Sequence, residues 1–172
     1  MDLMAKPASE SATEMVQVVL PNDTNPLGFI LGGTVMHLID IAGAIACHRH
    51  TRTLLVTAAV DDLQFLHPIK VGDLIILKAS VTCVFSTSLE VQVDVFSEEI
   101  LTGRRRMTST AFLTFVAIDR SGAKVRVPPL LLETEEERRV CDEAHRRRAA
   151  RLQRKVTTRS ASGADLGRPG EA

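Results

Sequence analysis

Asn25 and Asp40 stand on either side of a Gly32–Gly33 pair, and these residue types can hold an oxyanion and handle a proton. The Gly pair falls where a turn-rich stretch, PNDTNPLGFILGG, gives way to a helical pattern. The first N–H groups of a helix have no intrahelical acceptor, and the helix dipole makes that end positive. Such an end suits a carbonyl oxygen that is becoming negative, and glycine lets it approach without a Cβ in the way. The same pair could instead end a loop and pack closely. Asp40 lies about two turns into the helix between Ile39 and Ile41. A carboxylate so flanked is paired, exposed through a gap, or functional, because a lone buried charge is expensive. His37, three residues earlier, is a candidate surface partner. Asn25, within NDTNP, reads on its own as a turn residue.

These residues need elements to place them. Residues 15–20 read as a strand ended by Pro21. From Gly32 or Gly33 to about His50, Val35, Leu38, Ile39, Ala42, Ile45 and Ala46 recur at spacings of three and four. Gly43, Ala44 and Ala46 are small, so other backbone can come close on several sides, as for a helix buried in a curved sheet. Residues 54–63, 73–85, 89–97 and 105–118 then read as strands, separated by HPIKVGD, FSTS and EEILTG. Val91, Val93 and Val95 share one face. A final helix is expected over residues 134–154, with Thr134 and Glu137 as a capping box. The order implies an α+β domain in which an antiparallel sheet buries one helix. We divide the chain into a mobile leader (1–14), a domain (15–130), an accessory helix (131–155) and a disordered tail (156–172).

Composition narrows the classes. Lys plus Arg equal Asp plus Glu at 21 each, so no overall field steers the chain to nucleic acid or anionic lipid. No apolar run reaches the roughly 20 residues of a membrane helix, and the N-terminus lacks a signal-peptide core. Cys47, Cys83 and Cys141 are odd in number and widely spaced, which predicts reduced thiols in a cytoplasmic protein and no metal site. His48 and His50 are two apart on a helix and face different ways. The chain has neither a G-x-S-x-G elbow nor a phosphate-binding P-loop.

Four stretches together resemble the hotdog-fold acyl-CoA thioesterases: PNDTNPLGFILGGTVMHLIDIAGAIACHRH, VTAAVDDLQFLHPIKVGD, STSLEVQVDVFSEE and RRRMTSTAFLTFVAID. The resemblance covers about residues 14–129. It implies a five-stranded antiparallel sheet wrapped round one long helix. It also implies hydrolysis of acyl-CoA to free CoA and acid, with no metal or organic cofactor. Asn25, Gly28, Gly32 and Gly33 match the family's N-x-x-G-x-x-x-G-G, and Asp40 its catalytic acid, a base for water or a nucleophile. Homodimers, often assembled as trimers of dimers, would share each site between chains, Asn25 from one and Asp40 from the other. Non-catalytic acyl-CoA sensing and a hydratase are the rival activities.

Substrate contacts are fainter. Thr87 and Ser88 occupy the turn where many relatives have Gly-Arg-Thr-Ser, with Phe85 and Ser86 replacing Gly-Arg. Arg104, Arg105 and Arg106 are candidate contacts for CoA phosphates, or a solvated face. The last helix has Glu135–Glu137 early and arginines late, matching its dipole. It reads as a solvated accessory helix, with nucleic acid or anionic membrane as the outside alternative.

Overall fold

The structure, a computed structural model, describes residues 3–61 and 63–162. Its elements are β1 (Lys6–Pro7), β2 (Thr13–Val18), α1 (Gly32–Thr51), β3 (Leu54–Asp61), β4 (Leu74–Val84), β5 (Ser88–Glu98), β6 (Arg105–Ile118), β7 (Leu130–Leu131) and α2 (Glu135–Ser162). Five strands form one antiparallel sheet in the order β2-β4-β5-β6-β3. The alternation legible in β5 is what makes this a two-faced sheet. Val91 and Val93, with Leu77 and Leu113 beside them, are inaccessible to solvent and turn toward α1. Ile39 and Ala42 of α1 complete that core. Each such Leu or Ile contributes about 2–3 kcal/mol of burial. Gly43 is small because it must be. A Cβ there would stand 3.2 Å from both the Phe115 ring and Val91.

Three expectations need correcting. Much of the expected mobile leader is docked. Lys6–Pro7 pair in parallel with Leu130–Leu131, and Ser11 is fully buried, its hydroxyl accepting the Val81 N–H at 2.9 Å. The Lys6 ammonium donates to the His50 carbonyl at 2.9 Å. These are side-chain-to-backbone bonds across the fold, which leave no periodic trace in sequence.

The cysteines are not all reduced: Cys83 and Cys141 form a disulfide, and only Cys47 is free, buried, with its thiol pKa pushed far up by that burial. Sequence spacing could not find the pair, because 58 residues separate its members.

The last helix is more than a solvated appendage. Its capping box is formed, Thr134 Oγ1 accepting the Glu137 N–H and Glu137 accepting that of Thr134. Beyond it, α2 crosses the sheet face opposite α1. Arg147 grips Glu90 with two bonds, Nε–Oε2 at 3.0 Å and Nη2–Oε1 at 2.8 Å, above the Phe112 ring. Glu90 is 1% exposed and also accepts the Thr82 hydroxyl. Arg151 pairs with the buried Asp61. The long arginine stems cover apolar surface while their heads pair beneath them. The helix continues to Ser162, past its expected end near 154 and into the segment expected to be a tail; residues 163–172 of that segment lie outside the described residues. No helix among the described residues is long and apolar enough to cross a membrane.

Candidate active site

Asn25 is built into its loop by its carbonyl oxygen. Oδ1 accepts the N–H groups of Leu27 (3.0 Å) and Phe29 (3.2 Å), and the backbone closes the turn through Gly28 N–H to Asn25 O (2.9 Å). Gly28 takes φ +78°, the left-handed conformation that makes glycine the fitting residue. With Oδ1 committed, the amide orientation follows: Nδ2 is left as a donor, with no acceptor among the described residues. Asn25 and Gly32 line one pocket of about 350 Å³ together with Val35, Phe65, Ile69 and Thr108.

At the start of α1 no side chain caps the helix. Gly32 and Gly33 are exposed, and neither has a positive φ. A Cβ on Gly32 would make only ordinary contact with Phe65 (3.5 Å), and one on Gly33 would meet nothing within 4 Å. Close packing inside this chain therefore does not explain the pair. The N–H groups of Gly32 and Gly33 have no acceptor among the described residues.

Asp40 is half-buried, and its Oδ1 accepts the Thr57 hydroxyl at 2.7 Å. No described cation forms an ion pair with it, His37 included. Thr57 was not legible as a site residue. It lies on β3, an edge strand, next to a break in register between Thr57 and Ala59, and such bulges re-aim side chains. Asp40 does not line the pocket of Asn25 and Gly32. Eight residues of helix separate it from Gly32, about 12 Å at 1.5 Å per residue. The neighbouring surface is apolar: Met36 of α1 and Leu54, Val56 and Val60 of β3 are all 43–50% exposed.

The candidate CoA contacts separate into two groups. Ser88 opens β5 opposite Val116, whereas Arg105 pairs with Glu98 at the other end of the same strand. Ten strand steps separate them, about 33 Å. Within one chain, Thr87–Ser88 and Arg104–Arg106 cannot serve one phosphate group together. Arg104 and Arg105 already pair with Glu99 and Glu98; Arg106 is exposed. As for metal ligation, Cys83, Cys141 and His145 come together, but the two sulfurs are bonded to each other.

Comparison with known proteins gives a consistent picture. The thioesterase superfamily model matches residues 27–103. A Bacillus subtilis protein named acyl-CoA thioester hydrolase YkhA is 41% identical over 146 residues, 85% of each chain. A hexameric acyl-CoA thioesterase, solved in its apo form, superimposes with a TM-score of 0.84 at 40% identity, covering 89% of this chain and 98% of that one. An acyl-CoA hydrolase from Staphylococcus aureus, solved with butyryl-CoA and CoA, superimposes at 0.81 and 33% identity, covering 92% and 99%. That enzyme has also been solved with one Asn, one Asp and one Thr each replaced by Ala. The Asn and Asp are 15 positions apart and the Asp and Thr 17.

Proposed function

Because this chain belongs to the thioesterase superfamily and is an acyl-CoA thioester hydrolase, we propose that each of its catalytic centres is assembled from two copies. Asn25, Gly32 and Gly33 come from one copy, Asp40 and Thr57 from the other. The observation that carries this is the separation along α1. A reacting carbon must lie near both oxyanion donors and base, and about 12 Å of helix keeps them apart within one chain. Spacings of 15 and 17 also separate Asn25 from Asp40 and Asp40 from Thr57, which supports the same trio.

Asp40 Oδ2 takes a proton from water, whose oxygen attacks the thioester carbon. Thr57 holds Oδ1, leaving Oδ2 for the water. The carbonyl oxygen gains the negative charge and receives hydrogen bonds from Asn25 Nδ2 and the Gly32 and Gly33 N–H groups. When the tetrahedral centre collapses the C–S bond breaks, and the CoA sulfur leaves with the proton that Asp40 holds. A thiol pKa near 8.5 makes this leaving group undemanding, so neither metal nor organic cofactor is required.

The minimal unit in this proposal is a homodimer joined along the β3 edges, where the exposed Leu54, Val56 and Val60 lie. A trimer of such dimers is the proposed full assembly. The proposed compartment is the cytoplasm, the place of the acyl-CoA pool. There, burial of Cys83 and Cys141 limits access of reducing thiols to their disulfide.

The test mixes two inactive chains, Asn25→Ala and Asp40→Asn. After subunit exchange, half of the dimers are mixed, and each mixed dimer has one intact site of two. Roughly a quarter of wild-type thiol release should return. Full exchange with no recovery would overturn the shared site.

A further inference from the structure

The two sulfurs joined as Cys83–Cys141 have a third donor beside them. His145 stands one helical turn beyond Cys141, at i+4 on the same face of α2. A ring nitrogen of His145 and the two Sγ atoms all lie within 4.8 Å of one another. The imidazole is exposed and meets the Phe85 ring edge-on, 5.1 Å between centroids. Its nitrogens have no hydrogen-bond partner among the described residues.

The placement of Cys83 is unusual for its strand. Val81 and Cys83 are two apart on β4, so unbroken alternation would turn both toward α1. Val81 does join the α1 core, whereas Cys83 packs with Cys141 and Ala144 on the α2 side. The β4–β5 register breaks between Val81 and Cys83, and that bulge carries Cys83 across to the other face. Apolar packing around it is thin, with Phe85 and Leu132 as the flanking side chains. At this turn of α2 the cross-link, rather than a broad apolar contact, holds helix to sheet.

Two cysteine sulfurs and one imidazole make a donor set suited to zinc. While the sulfurs are bonded to each other they cannot act as thiolates. Burial leaves one way in. Cys83 is 1% exposed, but Cys141 lines an open groove of about 430 Å³ with Phe85, Val127 and Leu132.

We propose that Cys83, Cys141 and His145 form a structural zinc site once the disulfide is reduced, so that α2 stays tied to β4 in either redox state. A dithiol reductant supplies the two electrons. Its first thiolate attacks Cys141 Sγ, and Cys83 Sγ leaves as a thiolate. Its second thiolate then displaces Cys141 Sγ and closes the reductant's own disulfide. The two protons of the dithiol pass to solvent, and Zn²⁺ takes both cysteine thiolates and an imidazole nitrogen of His145. Tetrahedral zinc with Zn–S of about 2.3 Å holds two sulfurs about 3.7 Å apart, so the freed side chains rotate away from each other around the ion. Water completes the coordination on the exposed side. The site lies on the sheet face opposite α1, takes no part in hydrolysis and stands independently of the catalytic proposal.

The experiment reduces the full chain with a phosphine, removes the phosphine without oxygen and titrates Co²⁺, a spectroscopic substitute for Zn²⁺. Reduced wild type is expected to bind one Co²⁺ per chain, with thiolate-to-cobalt charge-transfer absorption and the strong visible bands of a four-coordinate ion. Added Zn²⁺ should remove both, and the oxidised chain should show neither. His145→Gln keeps the disulfide, and after reduction it should bind Co²⁺ at least about tenfold more weakly. Zn²⁺ should raise the Tm of reduced wild type and leave that of the oxidised chain unchanged. The site is overturned by a reduced chain without charge transfer, by a band that survives in Cys83→Ser plus Cys141→Ser, by an affinity that His145→Gln does not change, or by a Tm indifferent to Zn²⁺. If reduction alone unfolds the chain, Zn²⁺ must restore its folded circular dichroism, and failure to do so overturns the site equally.

Discussion

Thr57 Oγ1 donates a 2.7 Å hydrogen bond to Asp40 Oδ1, tying the edge strand β3 to the central helix at the proposed base. The bond fixes one carboxylate oxygen and so decides which is left for water. Replacing Thr57 by Ala should lower kcat by about ten- to a hundredfold with KM little changed, and Thr57→Ser should recover most of it. Asp40→Asn should abolish turnover while the oligomer, measured by sedimentation, persists. Near-normal rates from Asp40→Asn would falsify its role.

Asn25 has two separable tasks, because its oxygen builds the turn while its nitrogen keeps no acceptor among the described residues and the residue lines the pocket. Asn25→Asp keeps the acceptor for Leu27 and Phe29 but removes the donor. It should fold with a near-wild-type Tm and lose about 10²–10³ in kcat. If kcat survives, the turn alone explains Asn25.

Gly33 and Gly43 should respond oppositely to alanine. Gly33 faces open space, so Gly33→Ala should raise helix stability by about 0.5–1 kcal/mol and depress turnover, its Cβ standing where substrate approaches. At Gly43 the new Cβ would meet Phe115 and Val91 at 3.2 Å, so Gly43→Ala should cost about 1–3 kcal/mol. Denaturant midpoints and thiol release, measured on both variants, separate the two effects.

Burial holds the His50 pKa below 6.5, with the nearby Lys6 charge acting the same way and the Pro128 carbonyl, 2.9 Å from Nε2, opposing. The unfolded chain then binds the extra proton more readily. Stability from this group is complete above about 6.5 and is lost as pH falls toward the lower folded value. Between about pH 7.5 and 5.5, Tm should fall more steeply for wild type than for His50→Gln. Parallel slopes would remove His50 from this effect.

The Glu90–Arg147 pair predicts non-additive mutations. Arg147→Met alone strands a carboxylate that is 1% exposed and should cost about 3–5 kcal/mol. Adding Glu90→Leu should return much of that loss, since the buried charge is then gone. A double variant no more stable than the single would show that Arg147 acts through the Phe112 contact instead.

What could be read from the residues alone was what repeats locally. The three-and-four spacing of Val35, Leu38, Ile39 and Ala42 yielded α1, the alternation of Val91, Val93 and Val95 yielded β5, and Thr134 with Glu137 yielded the cap of α2. The Gly32–Gly33 start and the family motif carried the family and its activity. Tertiary structure alone decided what depends on meetings between distant segments: Thr57 beside Asp40, Cys83 bonded to Cys141, Glu90 gripped by Arg147, Lys6 held by His50. No local period marks such partners, because each contact is selected by the closed fold. It also decided that Asn25 keeps an uncommitted donor beside a pocket that Gly32 lines and Asp40 does not. The rise of α1 keeps Gly32 and Asp40 apart within one chain, which is why the proposed site needs a second copy.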